Sequence, residues 1–124
     1  MQRFTLLLRQ LCLLALVIVI GTIFDWFAHQ VRPEFWVPTE YFRHKIIFGT
    51  VIGFIAFSVL RPFVRSDFWL AVGVAATVSV LLQTKYFLQG YDLTFVFLFM
   101  GIHFIVFALP ALFVFRRWRH VLRG

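Results

Sequence analysis

The chain has 124 residues, a length that holds one domain. An apolar fraction of 62%, a mean hydropathy of +0.92 and only 14% charged residues exclude ordinary soluble usage, which runs at ~45–50% apolar and ~25% charged; a water-soluble protein this small lacks the interior to hide so much apolar side chain. The net charge of +7 would suit a nucleic-acid partner, but the positions of the charges, given below, leave no need for one.

Four apolar runs follow in order, and the pattern predicts four transmembrane helices over roughly 5–28, 42–61, 67–88 and 92–116. A helix rises about 1.5 Å per residue and must cross about 30 Å of hydrocarbon, so about 20 residues are needed. The first run, Leu11 to Phe24, carries no charge and extends back past Arg9. Arg3 and Arg9 before an apolar stretch also suit a signal peptide, but no small-x-small cleavage site follows, so an uncleaved anchor is expected.

After the first helix comes a stretch holding Trp26, Phe27, Pro33, Phe35, Trp36, Pro38, Tyr41 and Phe42 among charges. Aromatics at this density belong to the membrane interface, so this outer loop is expected to lie on the membrane surface. The second run, Ile46 to Leu60, is short, and Arg43 and Lys45 lengthen it if their heads snorkel to the surface. Pro62 then ends that helix, and Ser66 or Asp67 can cap the third. Gly90 turns the chain into the fourth run, Leu93 to Phe115, inside which Pro110 lacks the N–H of a regular helix. Short connections make the expected architecture an all-α antiparallel bundle, one transmembrane domain over residues 1–124.

Charge sets the expected orientation. The N-terminus, the connection after the second helix and the C-terminal tail together hold eight basic residues and one acid, Asp67; the opposite side holds four of each sign. The positive-inside rule puts both termini in the cytoplasm and the protein in the cell (inner) membrane. The excess charge then faces anionic lipid, and no nucleic-acid partner is implied. The single cysteine, Cys12, excludes an intrachain disulfide, and the lack of any asparagine excludes N-glycosylation.

Close packing between lipid-solvated helices favours small residues. Gly49 and Gly53 on the second helix and Ala71 and Ala75 on the third are the expected contact stripes, with Gly101 and Ala108 on one face of the fourth. His103 is the deep ionisable residue, a candidate ligand-binding position with Thr77 and Ser79 as its expected hydrogen-bond partners. Asp25 and His29 are four apart, as are Glu40 and His44. Two carboxylate–imidazole pairs across one loop make a candidate divalent-metal site, although capping and headgroup contacts account for the same residues. His103 is expected to lie too deep to join either pair.

Glycine-rich phosphate loops, nucleophile elbows and His-Glu-x-x-His are all missing. The leading expectation is therefore a non-catalytic binding or interaction module whose partners are the bilayer and another membrane protein, lipid or a second copy. The alternative is a metal- or small-ligand-binding membrane protein or enzyme using the outer Asp, Glu and His residues with His103. The sequence names no cofactor.

Overall fold

The computed structural model describes residues 1–123 and is all-helical. Four long helices, α1 (Gln2–Gln30), α2 (Glu40–Leu60), α3 (Asp67–Leu88) and α4 (Leu93–Arg117), are joined by a single turn of 3-10 helix at Pro33–Phe35 after α1 and followed by a short α5 (Arg119–Leu122). All four long helices are long and apolar enough to cross a membrane. Each packs on two others, α1 on α2 and α4, α3 on α2 and α4.

Local chemistry sets the ends. The Ser66 side chain caps α3 by accepting from Trp69 N at 3.4 Å. The alternative cap, Asp67, instead accepts from Arg123 Nε at 3.0 Å and lies 3.6 Å from Arg119 Nε. The turn into α4 needs a glycine, because Gly90 has φ of +82°, where a Cβ is strained. At the end holding both termini, Leu122 O accepts from Gln10 at 3.0 Å and Arg61 at 3.2 Å. Arg61 and Arg123 thus help fasten the C-terminal segment rather than standing free.

α4 continues through Pro110. Proline offers no N–H to the carbonyl four residues back, here that of Val106. Gly21 of α1 lies against this carbonyl: a Cβ there would stand 2.8 Å from Val106 O and 2.7 Å from Cε1 of Phe107. Only a hydrogen fits, so α1 and α4 are in close contact beside the carbonyl that the proline leaves without an N–H donor. Gly53 has room for a Cβ, with nearest atoms at 3.6 to 3.8 Å, while one on Gly49 would meet Ile18 at 3.0 Å. Ala71 and Ala75 are buried, Ala108 is half-buried and Gly101 has open space around it. Gly101 is therefore no packing position within this chain, because His103, 200° away around the helix, takes the inward face.

The interior is layered. One apolar core joins Leu14, Ile18, Phe57, Val78, Phe107 and neighbours. A second, aromatic core holds Val37, Phe42, Tyr86, Phe95, Val96 and Phe99. Between them lies a polar layer, while Phe24, Ile47, Val51, Ile55, Leu81, Phe97 and Leu109 face outward. A charged pair is buried between two apolar cores while large apolar side chains face outward, unlike the usual surface of a protein folded in water.

Candidate functional site

Each long helix supplies the polar layer. α1 gives Asp25 and His29, α2 gives Lys45, α3 gives Gln83 and α4 gives His103; all five are buried, none more than 3% exposed. Asp25 is the hub. Its Oδ2 accepts from Lys45 Nζ at 2.5 Å and lies 3.5 Å from His29 Nε2, and its Oδ1 lies 2.9 Å from His103 Nε2.

The outer contacts of the two imidazoles assign their protons. His29 Nδ1 is 2.6 Å from Phe35 O. A carbonyl only accepts, so Nδ1 carries the proton and donates, which leaves Nε2 as an acceptor facing Lys45 Nζ at 3.1 Å. His103 Nδ1 meets the Gln83 amide at 2.8 Å. With Nε2 of Gln83 donating, the imidazole proton sits on Nε2 and faces Asp25. With the amide turned about its axis, Oε1 accepts from Nδ1–H and Nε2 is left bare toward the carboxylate.

Although His103 Nε2 and Asp25 Oδ1 stand 2.9 Å apart, neither completes a directed hydrogen bond. Six buried side-chain atoms lack a hydrogen-bond partner among the described residues; three of them (Asp25 Oδ1, Gln83 Oε1 and His103 Nε2) belong to this layer, and a fourth, Tyr86 OH, comes from the aromatic core beside it. Unsatisfied buried atoms cost ~1–3 kcal/mol each, so their concentration marks the place where the fold is least self-sufficient. Aromatic rings close the layer: Phe99 stacks on His29 at 4.1 Å and Lys45 Nζ lies 5.2 Å from the centre of the Tyr86 ring.

Donor atoms of Asp25, His29 and His103 all lie within 4.8 Å of one another. A tetrahedral Zn²⁺-like ion bonded at ~2.0–2.2 Å keeps its donors ~3.3–3.6 Å apart. The three residues can hold such an ion with small adjustments, and each histidine already has the outer partner on Nδ1 that a ligating imidazole needs. The position is now served by a cation of the protein's own, the Lys45 ammonium.

The expected site is thus redrawn. Glu40 is exposed, and His44 turns to Lys85, whose Nζ is 3.3 Å from His44 Nδ1, so this pair does not face Asp25 and His29. His103, expected to lie too deep, is the third member; its ring centre is 6.4 Å from that of His29. α1 runs on to Gln30, so Asp25 and His29 both lie within the helix. Thr77 and Ser79 do not reach His103, because their hydroxyls bond Gly73 O and Ala76 O of their own helix at 2.8 and 3.1 Å. Lys45, read from sequence as a snorkelling end, is instead buried against Asp25. No protein-family model, curated protein or solved structure matches this chain.

Proposed function

We propose that this protein is a non-catalytic, multi-pass membrane module that binds one divalent transition-metal ion between Asp25, His29 and His103. The carrying observation is the convergence of donor atoms of Asp25, His29 and His103, from α1 and α4, on one buried point, with Asp25 Oδ1 and His103 Nε2 lacking a hydrogen-bond partner. A carboxylate with two imidazoles suits borderline ions such as Zn²⁺ or Co²⁺. The entering ion displaces the Lys45 ammonium from Asp25 Oδ2. Lys45 also lines a small cleft between α2 and α3.

Purified protein in detergent, titrated with Co²⁺, should develop the visible absorption of a low-coordinate ion at one equivalent. His29→Ala and His103→Ala should each abolish it. Gln83→Leu, which removes an outer partner, should weaken binding ~10–100-fold. Lys45→Met removes the competing cation and should bind more tightly, with Co²⁺ or Zn²⁺ raising its melting temperature more than that of the parent. Absence of saturable Co²⁺ binding in both the parent and Lys45→Met would sink the metal reading.

A second reading is favoured by the 2.5 Å contact of Lys45 with Asp25: the network is a structural pin joining all four helices, and the module's partner is another membrane protein or lipid. On that reading Lys45→Met loses stability and no divalent ion restores it.

The membrane assignment itself rests on the apolar exterior and the four long apolar helices. We place both termini in the cytoplasm of a cell-membrane protein, with antiparallel helices and the polar layer toward the outer face. With Cys12 replaced by Ser, a cysteine at Arg119 should label only from the cytoplasmic side and one at Glu34 only from outside. The reverse labelling overturns the orientation.

A further inference from the structure

A small cleft lies between α2 and α3. It measures about 20 Å³ and is lined by Tyr41, His44, Lys45, Lys85 and Tyr86, among others. That volume admits one water-sized group. Lys45 is neutralised by Asp25, but Lys85 has no carboxylate within 4.0 Å among the described residues. Its Nζ rests 5.0 Å from the centre of the Tyr41 ring and donates to His44 Nδ1 at 3.3 Å. A His44 that accepts on Nδ1 carries its proton on Nε2, so the two side chains together offer an anion a charged donor and a neutral one.

The same helix pair continues into an apolar groove. About 320 Å³ is bounded by Ile52, Ile55, Val59, Thr77 and Leu81. On α3, Lys85, Leu81 and Thr77 are spaced by four residues, so they lie along one helical face. On α2, His44, Ile52 and Ile55 follow a similar face. A cationic mouth and an apolar trough are therefore collinear.

We propose that the α2–α3 face holds one anionic phospholipid, its phosphate on Lys85 and His44 with one oxygen entering the cleft, and an acyl chain in the groove of Ile55 and Leu81. The proposal rests on the membrane-spanning reading; neither Lys85 nor His44 belongs to the metal site, and Lys45 is the residue the two share. Neutralising Lys85 by the lipid phosphate also explains why no acidic side chain does so.

Native mass spectrometry of the full chain, released from micelles containing equal phosphatidylglycerol and phosphatidylcholine, tests it. The expected result is one phosphatidylglycerol retained in preference to phosphatidylcholine. Lys85→Ala should cut that preference about fivefold, the effect of one basic residue at an anionic surface, and Lys85→Arg should keep it. Ile55→Trp, which fills the groove, should lower retention of both lipids. Inorganic phosphate at millimolar concentration should not displace the bound lipid, since it lacks the chain. Equal retention of the two lipids, or an unchanged preference in Lys85→Ala, overturns the proposal. Release of the protein from membranes by alkaline carbonate would instead overturn the membrane reading beneath it.

Discussion

Asp25→Leu should cost more stability than any other single substitution in the polar layer, on the order of 3–5 kcal/mol, the loss seen when one partner of a buried ion pair is removed. Lys45 Nζ stands 2.5 Å from Asp25 Oδ2 and the lysine is 3% exposed. Without the carboxylate, its ammonium is left in an apolar interior with only His29 Nε2, at 3.1 Å, to accept from it. Against a usual stability of ~5–15 kcal/mol, this loss should appear as a large drop in melting temperature in detergent and in yield from membranes.

The double variant Asp25→Leu/Lys45→Met supplies the internal check. Replacing both members of a buried pair by apolar groups is often neutral or stabilising, so the double variant should recover most of what the single one loses. A double variant as unstable as Asp25→Leu alone would mean that the aspartate acts mainly through His29 and His103, not through the lysine. An Asp25→Leu protein that melts like the parent would refute the contribution of the ion pair to stability.

Gly21→Leu is the second large expected effect. Even the first carbon of a side chain there would meet the Val106 carbonyl at 2.8 Å and the Phe107 ring. Flexible side-chain ends can yield, but a backbone oxygen cannot without moving α4. Overpacking costs ~1–3 kcal/mol and occasionally more, and Gly21→Leu belongs at or above the top of that range. Gly21→Ala should also destabilise, while Gly53→Ala, whose Cβ meets its neighbours at 3.6 to 3.8 Å, should not. Gly101→Ala, with nothing within 4 Å, should be neutral or slightly stabilising, since glycine inside a helix costs about 0.5–1 kcal/mol relative to alanine. Thermal denaturation of the four variants in one detergent checks the order, and Gly21→Ala melting like Gly53→Ala would refute the close approach of α1 and α4.

The four long apolar helices were legible because hydropathy adds over twenty residues, so no single misread position matters. Their ends came within a few residues: 5–28 was expected for α1, which runs Gln2–Gln30, and 42–61 for α2, which runs Glu40–Leu60. Those small differences are what hid the site. With α2 starting at Glu40, Lys45 sits more than one turn inside the helix, where it cannot snorkel away from Asp25.

The partner of His103 was obscured by side-chain direction. Counting equally from the Gly90 turn places His103 beside residue 78, which is why Thr77 and Ser79 were the natural choices. Helical side chains lean toward the N-terminus of their own helix. In two helices running opposite ways, as we propose for this pair, His103 reaches back toward the turn and Gln83 reaches away from it, so the two meet at 2.8 Å. Gly21 carried no signal at all, because it has no small partner four residues away, and its role follows from a carbonyl freed by Pro110 on another helix.

A network that takes a member from every helix also fixes an order of events during synthesis. Asp25 and His29 leave the ribosome first and have only each other until α2 brings Lys45, twenty residues after the aspartate. From then on the buried carboxylate has its counter-charge in Lys45, and on the membrane reading the pair of helices can wait in the bilayer. Gln83 comes next with nothing to hold, and His103 arrives last, within the final helix that crosses the membrane on the reading given above. A chain arrested before residue 103 should therefore be inserted yet unfinished, with its carboxylate still shared between one lysine and one histidine, and the nascent protein should become protease-resistant only when α4 is delivered.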